Sequence, residues 1–194
     1  MPEYYYTHTP NSEHEERHFT SVFMGKTLAF ETDAGVFSKQ HIDPGSEILC
    51  KSLPELHGRV LDMGCGWGAI GVLLARLCPD AQITMADINE RAVALAARNA
   101  RQNGVSAETL VSDGYENIAP SFDAIVTNPP IRAGKQTVYR ILDEAKTRLA
   151  PGGRLFLVIR KEQGAPSAQT HLQGVYSRVE LLARKKGYWI LACE

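Results

Sequence analysis

From Gly58 onward, short apolar runs alternate with stretches in which apolar residues recur at helical spacing. The first run predicts a strand from Arg59 to Asp62, and the pattern then changes to a helix from about Trp67 to Leu77. Ile70, Leu73, Leu74 and Leu77 share one face of that helix. Cys78-Pro79-Asp80 stops it. A strand from Gln82 to Ala86 follows, ending at Asp87, and then an alanine-rich helix from Glu90 to Asn103 that Gly104 closes. Strands are predicted at Glu108 to Val111 and Phe122 to Thr127, the second apolar enough to be buried on both faces. A helix from Thr137 to Leu149 runs up to Pro151-Gly152-Gly153, and a strand from Arg154 to Arg160 comes next. A helix after Pro166, within Gly164 to Gly174, precedes an antiparallel pair, Val179 to Ala183 and Tyr188 to Ala192, joined through Arg184-Lys185-Lys186-Gly187. Strands alternating with helices predict an α/β fold with a doubly wound parallel sheet. Right-handed crossovers then put a ligand outside the carboxyl ends of the strands.

Upstream the pattern is different. Residues Met1 to Arg17 are polar and aromatic, with Tyr4-Tyr5-Tyr6 but no periodicity. Phe19 to Glu31 reads as a hairpin around Met24-Gly25-Lys26, and Thr32-Asp33-Ala34-Gly35 as a turn. A short helix from Glu47 to Leu53 has Asp43 or Ser46 as its cap, and Pro54 ends it. The expected organisation is an N-terminal extension, residues 1–57, packed on one domain, residues 58–194.

Composition narrows the class. The 194 residues are 44% hydrophobic and 22% charged with a formal net charge of -1, so nucleic acid binding would depend on local basic patches. No apolar run has membrane-spanning length and the N-terminus is unlike a signal peptide, which leads us to expect a cytoplasmic protein. Cys50, Cys65, Cys78 and Cys193 form no C-x-x-C pair, and the six histidines have no metal-ligand spacing; we expect reduced thiols and no metal.

The chemistry is carried by strand ends. Gly66-Trp67-Gly68-Ala69-Ile70-Gly71 fits G-x-G-x-x-G, and Asp87 follows at the spacing of a ribose-binding acid. Those two features suit a nicotinamide dinucleotide. Asp62 does not: a carboxylate before the first glycine opposes a pyrophosphate and favours a ligand with an ammonium group. Asp113 ends the third strand, where an acceptor for an adenine amine would be useful. Thr127-Asn128-Pro129-Pro130 ends the fourth.

In that order these pieces resemble the class I S-adenosylmethionine-dependent methyltransferases. Asp62-x-Gly64-x-Gly66-x-Gly68 resembles their glycine motif, Asp87 and Asp113 their ribose and adenine acids, and Asn128-Pro129-Pro130-Ile131 the N-P-P-[aromatic] motif of enzymes that methylate planar nitrogens. Tyr5-Tyr6, Thr32-Asp33-Ala34-Gly35-Val36-Phe37-Ser38 and Thr127 to Lys135 are similar more narrowly to the ribosomal RNA guanine-N2 methyltransferases of the small subunit (16S). The match is to their catalytic half, as in the short single-domain members. The resemblance implies a Rossmann-like seven-stranded sheet with a C-terminal antiparallel hairpin and a short N-terminal β extension. It also implies S-adenosylmethionine as cofactor, and ribosomal RNA or the 30S particle as partner. Asp62, Gly64, Gly66, Gly68, Asp87, Asp113, Asn128 and Phe37 would hold the cofactor, and Asn128, Pro129 and Pro130 would form the catalytic loop. Ile131, Arg132, Lys135 and Lys161 would meet the substrate. An exocyclic amine has its lone pair delocalised into the ring; the Asn128 oxygen and the Pro129 carbonyl, accepting its two N–H groups, would expose that lone pair. Ile131 departs from the aromatic of the wider motif and removes one stacking surface, for which Phe37 or another aromatic would have to substitute. Two alternatives stay open: an NAD-dependent oxidoreductase, for which no hydride-transfer Tyr/Lys pair is evident, and a non-catalytic RNA-binding factor on the same fold.

Overall fold

The computed structural model describes residues 15–36, 38, 40–119 and 121–194. Seven strands form one mixed sheet: β3 (Arg59–Met63), β4 (Gln82–Asp87), β5 (Glu108–Val111), β6 (Phe122–Thr127), β7 (Leu149–Arg160), β8 (Val179–Lys185) and β9 (Tyr188–Cys193). Their spatial order is β5-β4-β3-β6-β7-β9-β8. The first five run parallel, whereas β7–β9 and β9–β8 are antiparallel. The order reverses beside β3 and β6, so the crevice of a doubly wound sheet opens above those two strands.

Alternation along the strands feeds two apolar layers. On one face Val60, Ala124 and Val126 pack with α1 (Pro44–Ser52), α2 (Ala69–Leu77) and α3 (Glu90–Gln102). On the other, Leu61, Met63 and Ile125 pack with α4 (Lys135–Ala145) and α5 (Ala165–Gln173). Helices and strands fall close to the predicted ranges; α1 begins at Pro44 rather than Glu47, and α4 and β7 also differ. α4 begins at Lys135 and ends at Ala145, and Lys146–Arg148 is a 3-10 turn, so the predicted helix start at Thr137 and end at Leu149 both shift toward the N-terminus. β7 begins at Leu149, so Pro151-Gly152-Gly153 lies inside a strand. Leu149 pairs with Phe122 and Arg154 with Ala124, leaving the residues between as a bulge. A Cβ on Gly153 would lie 2.8 Å from the Phe122 carbonyl oxygen, so the bulge admits only glycine there.

A separate hairpin, β1 (Arg17–Phe23) and β2 (Lys26–Thr32), turns at Met24-Gly25, both with positive φ (48° and 78°). The exposed edge of β2 is covered by side chains rather than by a strand. Asn103 accepts from the Ala29 N–H (3.0 Å) and donates to the Ala29 carbonyl (2.7 Å); one turn earlier, Asn99 does the same for Glu31 (2.8 and 2.9 Å). The two asparagines stand four apart on α3, which matches their reach to alternate residues of a strand. Asn99 Nδ2 also donates to the Trp67 carbonyl (2.8 Å), and the Phe19 and Phe30 rings sit 5.6 and 5.0 Å from the Trp67 ring. The hairpin therefore buttresses the glycine loop. Arg91 Nη1 donating to the Ala34 carbonyl (2.9 Å) and Asn89 Nδ2 to the Gly35 carbonyl (3.1 Å) hold the following turn against the start of α3.

Candidate functional site

A cavity of about 360 Å³ opens at the carboxyl ends of β3, β4, β5 and β6. Its floor is the glycine loop. Gly64 and Cys65 fold back on β4, their N–H groups donating to the Ala86 carbonyl at 2.8 and 2.9 Å. Gly64 and Gly66 have φ of +72° and +54°, and a Cβ on either would meet nothing within 4 Å. They line the cavity and leave it room, which is what a cradle for a bound molecule needs. Asp87 Oδ2 accepts the Gly66 N–H at 2.8 Å and Oδ1 accepts the Asn89 N–H at 2.9 Å, so one carboxylate ties the loop to the start of α3. Burial raises its pKa, and these backbone bonds oppose the rise.

Two sequence assignments are corrected. Gly68 does not line the cavity: a Cβ there would lie 2.9 Å from Ala96 Cα, so its role is to let the loop approach α3. Asp62 does not face the cavity either. β3 runs one residue further than predicted, to Met63, and alternation turns Asp62 toward α2. There Oδ2 accepts the Gly71 N–H at 2.8 Å, while Oδ1 is buried without a partner. Its pKa is raised to about 7, by burial first and then by the charge of Asp87, against the Gly71 hydrogen bond. The folded chain thus holds a proton on Asp62 that the unfolded chain releases near pH 4. Its contribution to stability is complete below that pH and is lost as pH rises toward 7. In thermal or urea unfolding, Asp62→Asn should gain stability relative to the parent between pH 4 and 7, by at most about 4 kcal/mol, and no further above it. A constant difference across that range would show that Asp62 does not titrate there.

At the third strand end, Asp113 lines the cavity but is paired: Oδ1 accepts from Arg140 Nη2 at 2.6 Å. Both groups are substantially exposed, so the pair contributes little to stability. At the fourth, Asn128, Pro129 and Pro130 line the cavity, followed by Ile131 and Arg132 in a 3-10 turn, Ile131–Ala133. The side-chain NH2 of Asn128 donates to Asp43 Oδ2 (3.1 Å) and Ser46 Oγ (3.0 Å), while no described residue donates to its oxygen. Lys135 and Lys161 are exposed and do not line the cavity; Lys135 Nζ lies 5.1 Å from the Tyr139 ring centre. Phe37 and Tyr4-Tyr5-Tyr6 lie outside the described residues.

Asp43 and Ser46, expected only as helix caps, and Tyr188, expected only as a strand residue, also line the cavity, together with Arg140 and Arg160. Asp43 is the cap of α1, accepting the Ser46 N–H at 3.1 Å, which decides between the two predicted caps. Tyr188 begins β9, opposite Arg160 at the end of β7, whose guanidinium lies 4.9 Å from the Tyr188 ring centre. The β8–β9 turn reaches the same sheet edge, because the Lys161 N–H donates to the Gly187 carbonyl (2.8 Å). That places Lys185 and Lys186 beside the end of β7; of the basic residues in this region, Arg160 lines the cavity, as does Arg132 of the 3-10 turn. Among the described residues no group of acids, histidines and cysteines could hold a metal, and no helix is long and apolar enough to cross a membrane.

This sheet order with a glycine loop, a β4 acid and an Asn-Pro-Pro strand end defines a class I S-adenosylmethionine-dependent methyltransferase. The model described as "Methyltransferase small domain" matches residues 27–192, and the chain belongs to that family. The uncharacterized protein YbxB of Bacillus subtilis is 42% identical, over 98% of this chain and 98% of its own. Ribosomal RNA small subunit methyltransferase C of Hahella chejuensis is 44% identical over 70% of this chain but 41% of its own length. Among solved structures, the T. thermophilus 16S rRNA N2 G1207 methyltransferase in complex with AdoMet and guanosine aligns with TM-score 0.83 and 30% identity. The alignment covers 92% of this chain and 50% of that one. The chain thus spans half or less of these two ribosomal RNA relatives. Family membership replaces the dinucleotide reading of the glycine loop.

Proposed function

We propose that the protein transfers a methyl group from S-adenosylmethionine to the exocyclic N2 amine of a guanine in small-subunit ribosomal RNA. The observation that carries this reading is the amide oxygen of Asn128, to which no described residue donates, at the carboxyl end of β6 in the same cavity as the glycine loop. Similarity to the T. thermophilus methyltransferase in complex with AdoMet and guanosine supports the base and the cofactor.

The residues fit the cofactor. Gly64 and Gly66 leave space for it, Asp87 has the ribose position, and Asp113 with Arg140 has the adenine end; Asp62 acts behind the loop through Gly71. When bound, the cofactor supplies an electrophilic methyl carbon on sulfur. The chain's own contribution is to the nucleophile. Asn128 Oδ1 and the Pro129 carbonyl accept the two amine N–H groups, which withdraws the nitrogen lone pair from the ring and aims it at the methyl. Proline has no N–H to compete and its fixed φ stiffens the loop. After transfer the nitrogen carries one proton too many, and that proton leaves to solvent. Ile131 offers an apolar surface to the base, and Tyr188 supplies the aromatic one that the Asn-Pro-Pro-Ile sequence lacks. Arg132, Lys135, Arg160 and Lys161 meet RNA phosphates.

The test is nucleoside analysis of 16S ribosomal RNA from cells with and without the gene. One N2-methylguanosine should be missing without it and restored by the gene on a plasmid. An unchanged set of methylated nucleosides would reject ribosomal RNA as the substrate.

A further inference from the structure

The amide of Asn128 is held by a part of the chain far from the catalytic loop in sequence. Its two N–H donors are both used, one on Asp43 Oδ2 and one on Ser46 Oγ, at 3.1 and 3.0 Å. Which end of an asparagine amide points where is decided by such partners. Ser46 alone would not decide it, because a hydroxyl both donates and accepts. Asp43 does. Its Oδ2 also accepts the Ser46 backbone N–H (3.1 Å), the cap bond of α1, so an acceptor oxygen is fixed at that spot whenever the helix forms. A reversed amide would bring its oxygen against a carboxylate oxygen. Gly45 keeps this arrangement close: a Cβ there would lie 2.8 Å from Asp43 Oδ2 and 2.7 Å from the Tyr188 ring.

We propose that Asp43 is a positioning residue for methyl transfer: the capped end of α1 locks the Asn128 amide so that its oxygen, and never its NH2, meets the target amine. Ser46 supports the lock. This rests on the reading of Asn128 as acceptor for that amine. It also gives the segment before β3 a chemical purpose. Methylation requires an acceptor facing two N–H groups, and an amide presenting NH2 instead would repel them.

Capping and positioning separate cleanly by substitution. Serine caps a helix but its hydroxyl stops short of Asn128, whereas asparagine caps it and keeps an amide oxygen where Oδ2 stood. Asp43→Ser should therefore lower kcat about tenfold with unchanged KM for RNA, unchanged binding of S-adenosylhomocysteine and unchanged Tm. Asp43→Asn should recover to within about threefold of the parent. The second readout needs no turnover. In ¹⁵N spectra the Asn128 side-chain NH2 pair, assigned by its loss in Asn128→Ala, should exchange slowly with water in the parent and in Asp43→Asn, and fast in Asp43→Ser. A parent-like kcat in Asp43→Ser, or an Asn128 NH2 pair indifferent to that change, would overturn the proposal. Should the parent transfer no methyl to RNA, the functional reading fails, and the NH2 pair still decides the lock.

Discussion

Replacing Asn128 by alanine is expected to lower methyl transfer by about 10²–10³-fold while S-adenosylhomocysteine still binds. The size follows from what is lost. One preorganised polar group aimed at the reacting atom is typically worth that much in a site shielded from water. The binding result follows from geometry: Gly64, Gly66 and Asp87, which line the cavity, make no described contact with the Asn128 side chain. Alanine leaves the Asp43 and Ser46 acceptors without Asn128, but both line a cavity that water reaches, so the cost to folding is small. Single-turnover transfer and calorimetric titration on the same preparation check both halves. Full activity in Asn128→Ala would exclude the acceptor mechanism, and loss of binding in parallel with activity would assign Asn128 to the cofactor instead.

Asp87→Ala should act on the other half of the site. Its carboxylate accepts the N–H groups of Gly66 and Asn89 at 2.8 and 2.9 Å, and no other described side chain bonds to the Gly66 N–H. On the proposed role of Asp87, alanine removes the ribose partner and loosens the glycine loop. Hydrogen bonds to a charged acceptor are worth about 1.5–3 kcal/mol each, so a loss of about 10²-fold in affinity for S-adenosylhomocysteine is expected. Thermal unfolding should show a lower Tm as well, because two N–H groups at a turn lose their acceptor. Unchanged affinity would remove Asp87 from the cofactor site and leave it a structural clamp.

β5 and β6 were readable to the residue, because Gly and polar residues bound short apolar runs. The start of β7 was hidden, since Pro151-Gly152-Gly153 has the composition of a breaker and only the closeness of the Phe122 carbonyl to Gly153 shows a bulge. Strand-end residues Asp87, Asp113 and Asn128 were legible because the parallel fold sends strand ends to one edge. Asp62 was misread by one position: a strand longer by Met63 turns its side chain from the ligand toward α2. Gly68 shows the complementary limit, for glycine fits a motif equally well whether space is needed for a ligand or for Ala96. The contact between Asp43 and Asn128 spans 85 residues, and no local pattern encodes it. The same holds for Asn99 and Asn103 of α3, which bond to the backbone along the edge of β2.

The most direct measurement of the central claim uses purified protein, methyl-labelled S-adenosylmethionine, and 16S RNA or 30S particles from cells lacking the gene. The RNA is digested to nucleosides and the label located by mass spectrometry. Label in N2-methylguanosine, at one site and absent with Asn128→Ala, is the predicted result. Label in any other nucleoside, or none with either substrate although the cofactor binds, would contradict it.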